Sequence, residues 1–199
     1  MTDMENLLPD QSNPRAGNPR EPSPHEQRSP QSESQRAPYT SKSQNSREYV
    51  LKALSQAAEE LTVLLRNELV GLALFGSWAR GEARPDSDVD VFVVLRSVGG
   101  MASRSRIYSA LARSLRMPVT LIDIRESELL KCGGIELTPL LVNVVADAVV
   151  IRDDRGVLES FIQEGLRLIE KAEFVRYRTP DGRYGWRRKD TKPISLIEL

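Results

Sequence analysis

The stretch LFGSWARGEARPDSDVDVFVVL, from Leu74 to Leu95, decides how the rest of the chain is read. It opens as the end of an apolar run, Leu69 to Phe75, closed by Gly76, and it finishes as a second apolar run, Val89 to Leu95. Short continuous apolar runs of this kind predict central strands buried on both faces. Between them lie Gly76-Ser77, a short basic helical turn and a polar loop. The second strand opens with Asp88 and Asp90. Two residues apart on a strand, these carboxylates project from the same face, about 6.6 Å apart along the backbone. They repel one another unless a cation lies between them, and magnesium is commonly held by one or two carboxylates together with substrate phosphates. Gly76 lets backbone come close to a phosphate, the Ser77 hydroxyl can donate to it, and Arg80 and Arg84 are near enough in sequence to add positive charge.

Outward from this unit, the elements alternate. Asn45 and Glu48 have the spacing of a capping box before Val50, Leu54, Ala57, Leu61 and Leu64, which predict one amphipathic helix to about Asn67. After the second strand, Ser103 is placed to cap a helix carrying Ile107, Leu111 and Leu115, which Pro118 stops. Val119 to Ile124 reads as a third strand, interrupted by Asp123, the best candidate for a third carboxylate that would complete a two-ion arrangement and accept the proton of an attacking hydroxyl. Glu126 to Lys131 reads as a helical turn ending at Gly133-Gly134. Thr138 and Pro139 suit N-cap and first-turn positions of a helix, and Val149 to Arg152 a fourth strand. Val157 to Lys171 is helical by pattern. Phe174 to Arg178 and Arg183 to Arg187, joined by Thr179-Pro180-Asp181-Gly182, read as an exposed hairpin whose aromatic residues cover the edge of the core, and Ile194 to Glu198 as a further strand. The pattern predicts an α+β (α/β mixed) fold with a mixed sheet and flanking helices.

Residues 1–45 differ in kind. From Pro9 to Tyr49 there is no Leu, Ile, Val, Met, Phe or Trp, and residues 1–45 hold 7 of the 12 prolines. Such a stretch cannot bury enough apolar surface to offset its conformational entropy, and disorder is expected. His25, the single histidine, lies within it, which argues against histidine catalysis. The expected organisation is a tail over residues 1–45, a catalytic domain over 46–152 and a helix-and-strand extension over 153–199.

Composition narrows the function classes. Lys plus Arg and Asp plus Glu are both 28, so no field of one sign calls for nucleic acid or membrane. The lone Cys132 cannot form an internal disulfide, which fits a reducing cytoplasm, and no Cys/His cluster suggests zinc. The N-terminus, MTDMENLLPDQSNPR, lacks the basic start and apolar core of a secretory signal. No apolar run approaches the length needed to span a bilayer.

Gly76-Ser77-Trp78-Ala79-Arg80-Gly81 followed by Asp86-Ser87-Asp88-Val89-Asp90 closely resembles the signature of the polymerase-beta-like nucleotidyltransferase superfamily, in particular its minimal nucleotidyltransferases of bacteria and archaea. The composite pattern is far more specific than either half alone. The resemblance implies that Gly76 and Ser77 bind nucleotide phosphates, with Arg80 and Arg84 beside them, and that Asp88, Asp90 and Asp123 hold two magnesium ions. It implies transfer of a nucleoside monophosphate, AMP above all, from an NTP such as ATP to a hydroxyl of a protein or small molecule, with release of pyrophosphate. Small members of the group are often antitoxins that adenylylate a tyrosine of a HEPN-type toxin, which makes such a toxin the natural protein partner. A second class stays open: a binding protein that keeps the fold and acts by masking a partner's surface.

Overall fold

The computed structural model describes residues 46–97, 100–129 and 137–190, all within the compact unit Tyr39–Leu199. The expected tail over residues 1–45, the Gly133-Gly134 helix end, Cys132 and the strand at Ile194 to Glu198 lie outside the described residues.

Helix α1 spans Arg47–Leu65 and begins one residue later than the capping-box spacing suggests: the Ser46 hydroxyl, not Asn45, accepts the Tyr49 amide at 3.1 Å. Its buried stripe is Val50, Ala53, Leu54, Ala57, Ala58 and Leu61. Strand β1 (Leu69–Phe75) is buried at every position, as its unbroken apolar run requires, and runs into the single-turn helix α2 (Gly76–Arg80). Strand β2 (Val89–Leu95) returns antiparallel to β1. Helix α3 (Gly100–Leu115) starts three residues before Ser103, so that serine lies inside the helix and does not cap it. Strand β3 (Val119–Arg125) then lies parallel to β2. Helix α4 (Glu126–Leu129) is one turn, and α5 (Pro139–Asp147) has Thr138 as its N-cap, the hydroxyl accepting the Leu141 amide at 3.3 Å, with Pro139 in the first turn as expected. Strand β4 (Val149–Asp153) pairs antiparallel with β1, α6 spans Val157–Lys171, and β5 (Phe174–Arg178) and β6 (Tyr184–Arg188) form a separate antiparallel pair.

The main sheet has strand order β3-β2-β1-β4 and is mixed. Alternation along β1 and β2 feeds two cores, one on each face. Leu72, Leu74, Val91 and Val93 join α1 and α3 on one face. Val70, Ala73, Phe92 and Val94 join α5 and α6 on the other, where the rings of Phe92 and Phe161 stack at 6.4 Å between centroids. Fully burying a side chain of this size contributes about 1.5–3 kcal/mol. Gly165 of α6 lies against Val145 of α5, where an added Cβ would stand 2.7 Å from a Val145 methyl. This close approach packs α6 against α5. Leu158, Phe161 and Leu168 of α6 belong to the same core as Phe92.

Candidate active site

Gly76 is the pivot between β1 and α2. Its φ of +71° is one that side-chain-bearing residues rarely adopt, and an added Cβ would lie 2.1 Å from Oδ2 of Asp90. The chain therefore needs glycine twice over here, once for conformation and once for space. The register places Phe75 opposite Asp90 on the neighbouring strand, so the turn after β1 sits directly on the carboxylate that opens β2. The loop between them is held by short-range bonds. The Glu82 amide donates to the Ser77 carbonyl at 2.9 Å, and Arg84-Pro85-Asp86-Ser87 closes a turn with Pro85 in its favoured place. Trp78 is buried beneath this loop and its indole N–H donates to the Ser87 carbonyl at 3.2 Å, which makes it a core residue and a clamp on the loop.

Asp88 and Asp90 share the face of β2 that also carries Phe92 and Val94. Asp88 is exposed and accepts a long hydrogen bond, 3.4 Å, from the Thr120 hydroxyl of β3. Asp90 is half-buried, and burial first, then the neighbouring Asp88 charge, push its carboxyl up to about 6, with Arg80 opposing and Asp147 reinforcing the shift. A carboxylate pair of this kind, one member costly to ionise, fits a single divalent cation whose remaining ligands come from phosphate and water.

Asp123 does not belong to the group. Strands β2 and β3 pair in parallel with Asp90 beside Thr120 and Val93 beside Asp123, so Asp123 projects from the opposite face of the sheet. There its carboxylate is buried against α3 and forms an ion pair with Arg104. The third carboxylate near the site is instead Asp147, at the C-terminal end of α5, with its side chain 2% exposed. It is already neutralised: it accepts from Arg80, and Arg176 of β5 binds it through both terminal nitrogens at 2.6 and 2.9 Å. Among the described residues no group of three or more His, Cys, Asp or Glu side chains is arranged to hold a metal.

Arg80 is thus turned toward Asp147 and toward Glu82, which accepts from its Nε at 2.9 Å. Burial works against its positive charge, but Glu82 and Asp147 outweigh it and raise its pKa further. Glu82 also accepts from the Tyr184 hydroxyl of β6 at 2.7 Å, and the Tyr184 ring lies under the Arg176 and Arg80 guanidiniums, 4.3 and 4.6 Å from its centroid. The five side chains close a ring that ties the end of α2 to the hairpin. The hairpin is therefore a wall of the site, a role that reading it as a cover for the core edge did not include. A cavity of about 340 Å³ is lined by Gly76, Ser77, Asp90, Asp147, Arg183 and Tyr184, among others. One signal for this wall was present in the sequence: Asn143 and Asp147, four apart, form a polar stripe on the otherwise apolar helix α5. Asn143 accepts the Trp186 indole N–H at 2.9 Å and Asp147 holds Arg176, so both stripe residues anchor the hairpin.

Residues 59–137 match the family model described as polymerase beta, nucleotidyltransferase. The "Putative protein adenylyltransferase" of Methanocaldococcus jannaschii is 24% identical over 88 residues, covering 44% of this chain and 89% of that protein. Two solved structures are similar over much of their own length. A protein from Sulfolobus solfataricus described as "a putative nucleotidyltransferase" is 25% identical, with 59% of this chain and 94% of that one covered, at a TM-score of 0.38. The antitoxin–toxin complex described as a tri-AMPylated Shewanella oneidensis HEPN toxin with an MNT antitoxin contains a chain 18% identical, with 61% and 87% covered, at a TM-score of 0.41. At these TM-scores neither likeness bears further on what the chain does.

Proposed function

We propose, from the match of residues 59–137 to the polymerase beta nucleotidyltransferase family model, that the chain transfers AMP from ATP to a hydroxyl group on a protein. The observation that carries the reading is the juxtaposition of Gly76-Ser77 with Asp88 and Asp90 at one end of the sheet, so close that Gly76 has no room for a side chain beside Asp90. Protein as the acceptor is supported by the name of the archaeal relative, most of whose length this chain covers.

In this reading the Ser77 hydroxyl and the amides at Gly76-Ser77 hold the outer phosphates, and Asp88 and Asp90 hold magnesium. Bound there, the ion would neutralise phosphate charge and polarise the phosphoryl group under attack. The remaining work is positioning: the α-phosphorus is fixed over the Asp90 end of β2 while the acceptor hydroxyl approaches from the open side, and pyrophosphate departs. In this reading Asp123, paired with Arg104 on the other face of the sheet, takes no part as proton acceptor.

The test is transfer of label from α-labelled ATP, with magnesium, to proteins of a lysate and to a tyrosine of a HEPN-type toxin as a defined acceptor. Wild type is expected to label and the Asp88→Asn/Asp90→Asn double variant to lose at least about a hundredfold. Undiminished labelling by the double variant would overturn the assignment of the pair.

A further inference from the structure

We propose that the tip of the β5–β6 hairpin supplies a second phosphate-binding wall, in which Arg183 and Arg178 hold the outer phosphates of the donor triphosphate across the groove from Ser77 and Arg84. This deepens the donor-site reading above and rests on it. Both guanidiniums lie outside the span of the family match, residues 59–137.

The first argument is placement. A groove of about 480 Å³ runs between the loop after α2 and the hairpin tip; four guanidiniums, those of Arg80, Arg84, Arg178 and Arg183, line it together with three carboxylates, those of Glu82, Asp86 and Asp181. It is continuous with the cavity over Asp90, since Ser77, Arg80, Gly182, Arg183 and Tyr184 line both. A phosphate chain whose inner end lies by Asp90 and whose outer phosphates reach Ser77 has this groove in front of its outer end.

The second argument is charge. A triphosphate carries close to four negative charges and would sit beside the carboxylates of Asp88 and Asp90, so it needs cations in addition to a bound metal. Arg80 and Arg176, the inner pair, are committed to the buried Asp147, and Arg80 also to Glu82. The guanidiniums of the tip are less committed: Arg178 stands 5.6 Å from the Tyr184 ring centroid and its charge reaches Glu82, but neither tip arginine is paired with a buried carboxylate. Arg183 is paired with Asp181 of its own turn, at 3.1 Å, and the two side chains are 86% and 59% exposed. The Arg178 Nε donates to the Gly182 carbonyl, also within the turn, at 3.3 Å. Solvent screens an exposed pair of this type so well that exchanging Asp181 for a phosphate costs little. Arginine, with its planar fork of donors, is suited to that exchange.

The third argument is that the wall is held in place. The ring of Arg80, Asp147, Arg176, Tyr184 and Glu82 fixes β5 and β6 against α2, and Trp186 is anchored on α5, so the tip is presented by a braced element and not by a free arm.

The experiment is titration of the full chain, wild type against Arg178→Ala/Arg183→Ala, with ATP, pyrophosphate and AMP by calorimetry in magnesium, alongside the acceptor-labelling assay. The variant is expected to bind ATP and pyrophosphate about 10- to 100-fold more weakly while AMP affinity stays within about twofold. The charge-preserving double variant Arg178→Lys/Arg183→Lys is expected to recover part of the loss. Unchanged affinity for ATP and pyrophosphate, with labelling lost through a higher acceptor KM, would overturn the proposal and give the groove to the acceptor. Equal weakening of ATP and AMP would overturn it in favour of a nucleoside contact. If wild type bound neither ATP nor pyrophosphate, the donor-site reading itself would fall and the proposal with it; retained wild-type binding isolates the failure to the hairpin.

Discussion

Gly76 and Asp90 form one steric and electrostatic unit. An alanine at position 76 would have to adopt a φ of +71° and would drive its methyl into the Asp90 carboxylate. Gly76→Ala is therefore expected to destabilise by about 1–3 kcal/mol and to weaken ATP binding, read by urea unfolding and by titration. The Asp90 carboxyl, moved from 3.8 to about 6, carries a definite sign. A folded-state pKa above the unfolded one means that the native state holds the proton more tightly between those values. This contribution to stability is present at low pH and is lost as pH rises through about 6. Cation binding needs the ionised form and has the opposite dependence. The rise in Tm on adding magnesium is expected at pH 7.5 and should largely vanish at pH 5. In metal-free buffer at pH 7.5, Asp90→Asn should stabilise the protein by about 1 kcal/mol, a figure reduced for the partial exposure of the site. Asp123 provides the contrast. Asn at that position should leave turnover near wild type and cost about 1 kcal/mol of stability, because it removes the ion pair of the half-exposed Arg104, which keeps its bond to the Leu121 carbonyl. Loss of turnover without loss of stability would show that Asp123 takes part in the reaction.

Among the elements, the hairpin depends most on a single residue. Asp147 is buried and is shared by guanidiniums from α2 and β5. Removing a buried charge while its partners stay behind is costly, and Asp147→Ala is expected to destabilise by about 3 kcal/mol. Amide exchange should locate that loss: the β5–β6 ladder from Phe174↔Arg188 to Arg178↔Tyr184 is expected to lose protection before the central strands β1 and β2 do. Equal loss of protection throughout would mean that Asp147 supports α5 and the main core instead. Helix α5 shows why the hairpin's role was hard to read in advance. Its polar stripe, Asn143 and Asp147, was visible, but the strand that it faces follows more than twenty-five residues later in the chain.

At the scale of the whole molecule, two cores hold one mixed sheet between α1 with α3 and α5 with α6. No described helix is long and apolar enough to cross a membrane. Residues 9 to 49 contain no Leu, Ile, Val, Met, Phe or Trp, and residues 1 to 8 contain only Met1, Met4, Leu7 and Leu8 of these types. A chain beginning at Asn45 is therefore expected to keep its Tm within about 2 °C and to retain magnesium-dependent labelling, as checked by calorimetry and the α-labelled ATP assay. A larger fall in Tm would show that the N-terminal stretch packs on the folded unit.

The elements around the site were legible because their signals are local. Apolar runs marked β1 and β2, helical spacing marked α1 and α6, Thr138-Pro139 marked the start of α5, and the Gly-Ser and Asp-x-Asp halves lie within one strand-turn-strand unit. Spacing of two along a strand is enough to put Asp88 and Asp90 on one face, whatever surrounds them. Asp123 is a different problem. Which face of the sheet it occupies depends on the register of β3 against β2, where a shift of one residue exchanges the two faces, and that register is set by packing against both cores. The partners of Arg80 were beyond local reach for the same reason. Its nearest carboxylate in sequence is Glu82, but the buried Asp147, 67 residues away, and the hairpin that completes the groove were brought to it only by the folding of α5 and α6 onto the sheet.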